Sequence, residues 1–163
     1  MNIIFLDIDG VLNNDPFVQA TNETICPENV QEFNRIVSAT KAAIVLSSSW
    51  RLMIGRTDEF CTLSHMERYL RKRGIRGRII DTTPVLVGQK KLRGQEIKQW
   101  LRQHPEVGNY VILDDVTDPF MPSQHTVATD SMAGLTAKDA DKAIQLLRSD
   151  GEQPRPFFNP YND

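Results

Sequence analysis

Two carboxylates stand two residues apart near the start of the chain, in Asp7-Ile8-Asp9-Gly10, directly after the apolar run Ile3-Ile4-Phe5-Leu6. If the run is a strand that continues through them, Asp7 and Asp9 share a face. Two anions held that close repel, and one must take up a proton unless a cation sits between them. A divalent metal resolves the conflict, and oxygen-only ligands favour magnesium over zinc. Gly10 lets the backbone turn sharply away behind the pair. The same four residues also suit an ordinary polar turn leaving a strand.

Further polar residues occur in the same context. Ser47 follows Ile44-Val45-Leu46, and Asp114-Asp115 follows Val111-Ile112-Leu113. Apolar runs of this length, too short for helices, suit strands buried on both faces. Ligands bind beyond the carboxyl ends of such strands in open parallel sheets. Asp7, Asp9, Ser47, Asp114 and Asp115 are all predicted to fall there. Arg51, in the loop after Ser47, is placed either to clamp a phosphate with its guanidinium fork or to lie exposed against Asp58 or Glu59.

The elements that must position these residues alternate. Residues 13–26 read as a loop with Pro16. Pro27 opens a helix to about residue 39, carrying Val30, Phe33, Ile36 and Val37 inward. Strands are predicted at 42–46, 78–81, 110–113 and 126–128, and helices at 58–73 and 94–103. Thr136-Ala137-Lys138-Asp139 has the form of a capping box with Asp as its acid, opening a last helix through Leu147. The tail at 149–163 holds three prolines and reads as irregular, so one domain is expected over 1–148. Alternation of this kind predicts an α/β fold: a three-layer, Rossmann-like parallel sheet with helices on both faces.

The composition is ordinary for a globular chain of 163 residues: 40% hydrophobic, 25% charged, net charge −2. No polyanionic or membrane partner is implied globally, and no apolar stretch approaches the roughly 20 residues that span a bilayer. Cys26 and Cys61 form neither a disulfide framework nor a zinc motif, which points to a reducing, cytoplasmic setting. The N-terminal run has no basic residues before it and is broken by Asp7, unlike a signal peptide.

With these residues in view, the chain resembles the haloacid dehalogenase superfamily of phosphohydrolases. Asp7-Ile-Asp9-Gly10-Val-Leu matches its first motif, Ser47 its second, and Asp114-Asp115 its acidic fourth. Leu46-Ser-Ser-Ser-Trp-Arg51, Arg93-Gly-Gln-Glu-Ile97 and Ile112-Leu-Asp-Asp115 resemble the small branch found as the phosphatase domain of multi-enzyme RNA repair proteins. The resemblance implies a phosphatase that requires Mg2+. Asp7 would be the nucleophile, forming an aspartyl-phosphate. Asp9 would protonate the leaving oxygen and then take a proton from water, a role that burial beside other acids would favour. The metal would be held by the Asp7 carboxylate, the Asp9 backbone carbonyl, and Asp114 or Asp115, with Asp118 able to reach it through water. Ser47 would bind a phosphoryl oxygen, although a polar strand terminus explains it equally well. The cation of the third motif falls to Arg93, with Lys91 as substitute; an Arg there offers a planar fork instead of a compact ammonium.

No stretch is long enough for a substantial cap domain, so the site should be open. An open site suits a phosphorylated substrate of some size, nucleic-acid ends among the candidates. The basic residues Arg68, Arg71, Lys72, Arg73, Arg76 and Arg78, followed by Lys90, Lys91 and Arg93, could track a nucleic-acid backbone, or form a solvated face. Trp50 could stack on a base or pack beside its strand. A phosphatase for small esters, a phosphoacceptor module and a catalytically silent phosphate-binding domain are the competing classes. The oligomeric state is not encoded in any recognisable pattern.

Overall fold

Ile3, Ile4, Phe5 and Leu6 are wholly excluded from solvent, and a strand apolar on both faces must be covered on both. They form β1 (Asn2–Leu6), the centre of a parallel sheet. The other strands are β2 (Ala43–Leu46), β3 (Ile79–Thr82), β4 (Asn109–Asp114) and β5 (Thr126–Ala128), in the spatial order β3-β2-β1-β4-β5. Five helices connect or follow them: α1 (Asp15–Thr21), α2 (Pro27–Thr40), α3 (Leu63–Lys72), α4 (Arg93–Gln103) and α5 (Ala137–Arg148). This computed structural model describes residues 1–86, 93–116, 120 and 123–149. Lys90, Lys91, Asp118 and the tail from residue 150 lie outside the described residues.

The alternation of side chains along each strand divides the core into two layers. Ile4, Leu6, Ile44, Leu46, Val111 and Leu113 face α2, α3 and α5, meeting Phe33, Ile36, Met66, Leu70, Ala143 and Leu147. On the opposite face Ile3, Phe5, Val45, Tyr110 and Ile112 meet Ile97 and Trp100 of α4. The Phe5 ring stands edge-on to Trp100 at 5.4 Å, and the Trp100 indole N–H donates to Asp81 Oδ2 at 2.7 Å. The three-layer arrangement predicted from the alternation of elements is therefore the one observed.

Two local expectations are corrected. The loop predicted at 13–26 contains α1, whose N-terminal N–H of Phe17 is accepted by the Asn14 side chain at 3.0 Å. None of its residues is buried, so it has no apolar period to be read. The helix predicted from residue 58 begins at Leu63. Phe60 reaches the core (5% exposed) from a turn in which its own N–H meets Thr57 O, and its spacing to Leu63 and Met66 imitates a helical stripe. Among the described residues, no helix is long and apolar enough to cross a membrane.

At the start of α5 the capping box is complete: Thr136 Oγ1 accepts from Asp139 N, and Asp139 Oδ2 accepts from Thr136 N at 2.9 Å. Thr136→Ala is expected to lower unfolding free energy by about 1 kcal/mol, read as a lower urea midpoint at unchanged slope. An unchanged midpoint would show that α5 is held by packing alone.

Candidate active site

The register of the sheet sets the site. Leu6 of β1 lies level with Leu46 of β2 and Leu113 of β4. The next step along each strand is therefore Asp7, Ser47 and Asp114, side by side. Two backbone bonds continue the ladder into that row, Asp7 N to Leu113 O at 2.9 Å and Ser47 N to Leu6 O at 3.0 Å.

Within the row, Asp7 and Asp114 are joined by Asp115, and one carboxylate oxygen of each lies within 4.8 Å of the others. Asp7 is 5% exposed and Asp114 fully buried. Burial, reinforced by the negative charge of Asp7, pushes the Asp114 carboxyl up to about 6, against the pull of Arg93. Asp115 is raised for the same two reasons, burial first and Asp7 second. Arg93, at the first turn of α4, donates one guanidinium nitrogen to Asp7 Oδ2 at 2.6 Å and to Asp114 Oδ2. Burial disfavours its charge, but Asp7 and Asp114 outweigh burial and hold its pKa above the ordinary arginine value. Three carboxylates against one guanidinium leave two negative charges at this spot. That balance and the all-oxygen donor set fit a divalent hard cation.

Asp9 lies at the edge of that cluster, near enough for its charge to help raise Asp115. It is exposed, and its two oxygens accept from Asn13 Nδ2 at 3.1 Å and from the Trp50 indole N–H at 2.9 Å. The expectation that Asp9 is buried beside the other acids is thus corrected: its side chain is exposed, where the chain leaves the strand for the left-handed turn at Gly10 (φ 72°). Gly10 has a second reason to be glycine, since a Cβ there would come within 2.5 Å of the Asp115 carboxylate. Asn13, which the sequence reading gave no role, fixes this turn by accepting from Gly10 N at 2.8 Å while it donates to Asp9 and to Thr24 O. Ser47 is fully buried and its hydroxyl has no hydrogen-bond partner among the described residues, an uncommon state for a buried polar atom that fits a group positioned for a ligand.

Arg51 is corrected on both of its readings. Its guanidinium is buried and pairs with Glu96 at 2.6 Å, not with Asp58 or Glu59. The remaining N–H groups go to the carbonyls of Ser47, Ser48, Thr83 and Pro84, which leaves none for a phosphate. It ties the loop after β2 to the end of β3 and to α4, the helix that carries Arg93. Glu96 completes the tie by accepting from Leu86 N at 3.1 Å. Lys91, the substitute for Arg93, lies outside the described residues. Of the basic residues Arg68 to Arg78, Arg78 lies at the far end of the sheet, its carbonyl bonding Ile44 N near the entry to β2, while Arg73 stacks on Tyr69 at 3.5 Å.

Beside Asp9 opens a cavity of about 380 Å³, lined by Trp50, Met53, Phe60 and Tyr69 among others. Trp50 therefore both packs against the core and faces this space.

Residues 3–140 match the family described as the HAD domain in Swiss Army Knife RNA repair proteins. No curated protein and no solved structure matches the chain.

Two measurements follow from this geometry. Because the folded state holds the Asp114 proton more tightly than the unfolded chain, its ionised form destabilises the fold, fully above about pH 6 and not at all well below the ordinary value of 3.8. Asp114→Asn is expected to raise unfolding free energy by about 3 kcal/mol at pH 7.5, the gain fading towards pH 4; a gain independent of pH would contradict it. Removing one member of the buried pair with Glu96→Ala strands the Arg51 charge and is expected to cost about 3–5 kcal/mol. A loss under about 1 kcal/mol, typical of an exposed pair, would show that Arg51 finds water instead.

Proposed function

The chain belongs to the HAD domain family of Swiss Army Knife RNA repair proteins, an HAD-superfamily phosphatase domain, and from that premise we propose that it is a magnesium-dependent phosphatase working through an aspartyl-phosphate. The observation that carries this reading is the convergence of Asp7, Asp114 and Asp115 beside Arg93 at the carboxyl edge of the sheet.

Asp7 is the nucleophile. Its Oδ1 is oriented by the Ile8 N–H at 2.8 Å and its Oδ2 by Arg93. One oxygen attacks phosphorus, the bond from phosphorus to the leaving oxygen breaks, and the proton of Asp9 goes to that oxygen. Water then attacks the acyl phosphate, Asp9 recovers a proton from it, and inorganic phosphate leaves with Asp7 restored. Ser47 Oγ, which lacks an internal partner, donates to a phosphoryl oxygen, and Arg93 balances the charge that develops on it. Asp7, the Asp9 backbone carbonyl, and Asp114 or Asp115 are the residues that would hold magnesium. When bound it lowers the repulsion between a carboxylate nucleophile and a phosphate dianion.

Terminal phosphates of nucleic acid are the proposed substrate class. Supporting this, the matching family is described from RNA repair proteins. The segment between β1 and α2 holds the seven-residue α1 as its helix, too little for a helical cap, which suits a large substrate.

The test begins with a generic aryl phosphate. Phosphate release is expected with magnesium and not with chelator, Asp7→Asn is expected to abolish it, and Asp9→Asn to slow it by about 10²–10⁴-fold. Magnesium affinity should fall as pH drops through about 6, where Asp114 takes up a proton. Release that is unaffected by chelator, or by Asp7→Asn, would rule the mechanism out.

A further inference from the structure

The cavity beside Asp9 has a composition that sorts the two halves of a phosphate ester. Its lining holds Trp50, Met53, Phe60 and Tyr69 with the carboxylates Asp9 and Glu59, and no lysine or arginine. The charged side chains that line it among the described residues are both acidic, which disfavours a phosphate group there. The cationic and hydroxyl groups suited to it, Arg93 and Ser47, lie in the neighbouring strand-end row. An uncharged, flat, largely apolar group suits the cavity instead, since aromatic side chains offer both area and a stacking surface.

The position of the cavity names which group that is. On the reading above, on which this inference rests, Asp9 gives its proton to the leaving oxygen, so whatever that oxygen belongs to must lie on the Asp9 side. Asp9 is held towards the cavity by the Trp50 indole at 2.9 Å, so one side chain both orients the acid and walls the space. Trp50 and Tyr69 are tilted at 59° with centroids 6.0 Å apart, and Phe60 stands edge-on to Tyr69 at 5.2 Å. Arg73 covers one face of Tyr69 at 3.5 Å, which fixes that ring. These walls rest on the core through Met53 and Phe60.

We propose that this cavity is a leaving-group subsite that takes the base of the phosphorylated terminal nucleotide. Its rim supports a base over a plain phenyl ring: Glu59 and the Ser49 hydroxyl line it, and a base has N–H groups to donate to them while a phenyl ring has none. The site thereby selects a base-bearing end without reading a long stretch of strand.

The experiment compares two oligonucleotides with the full chain and magnesium. Both carry the same terminal phosphate, at the 3′ or 5′ end according to which is turned over. One ends in a normal nucleotide and the other in an abasic one. The base-bearing end is expected to have a kcat/KM about tenfold higher, the effect of one base–aromatic stack. Tyr69→Leu is expected to bring that ratio below about threefold. Should the variant not fold, the wild-type ratio decides alone. Equal kcat/KM on the two ends would overturn the subsite and leave the phosphatase standing. A phosphotyrosyl peptide turned over faster than either would overturn it in favour of a protein substrate. Release from none of these, nor from an aryl phosphate, would remove the phosphatase reading and the subsite with it.

Discussion

Everything at this site depends on a clash of like charges that the fold does not relieve. Parallel pairing of β1 with β2 and β4 brings Asp7, Ser47 and Asp114 into one row, and the buried row offers little water to screen them. For Asp114, whose carboxyl is pushed up to about 6, ionisation at neutral pH costs about 3 kcal/mol. A domain of this size has only some 5–15 kcal/mol of stability in total. Such an outlay is tolerated because the strands behind it, from Ile3 to Leu6 and from Val111 to Leu113, are fully buried. The result is a site whose unbalanced charge suits a cation.

The surroundings hold that repulsion in place by filling every exit. Gly10 leaves no space between its backbone and the Asp115 carboxylate, so the first turn and the acidic pair cannot move apart independently. Thr129 Oγ1 donates to Gly10 O at 2.7 Å and its N–H bonds Asp114 O at 3.0 Å, joining the same two segments from behind. Arg51 does the corresponding work on the other side, with one buried guanidinium holding carbonyls of both loops and a carboxylate of α4. A buried ion pair is seldom a gain in stability by itself. Its value here is geometric, because α4 must present Arg93 to two carboxylates at once.

How much of this could be read beforehand depends on which signal each feature leaves. The strands and the large helices were legible because burial writes a period into the sequence, and the boundary of α5 because Thr136 and Asp139 form a local motif. The convergence of Asp7, Asp114 and Asp115 followed from strand ends alone. Helix α1 left no periodic trace, although Asn14, Asp15 and Pro16 form a recognisable helix start. Arg51 was misplaced because its partner, Glu96, is 45 residues away, beyond any local pattern. Asn13 and the Asp9–Trp50 bond are likewise products of the turn at Gly10, whose direction the residue types do not specify.

The two carboxylates of the opening motif show how one turn divides labour. Asp7 is buried, ion-paired with Arg93 and close to two other acids, and its two oxygens are aimed by the Ile8 N–H and the Arg93 guanidinium. Asp9, two residues on, is exposed beside that cluster and is held by an amide and an indole. A continuous strand would have put both side chains on one face and into one electrostatic environment, where their protons would be shared and neither could act alone. With the strand ending before Gly10, whose φ is positive, Asp7 stays in the buried row while Asp9 reaches solvent, so that two carboxylates of one short motif have different surroundings.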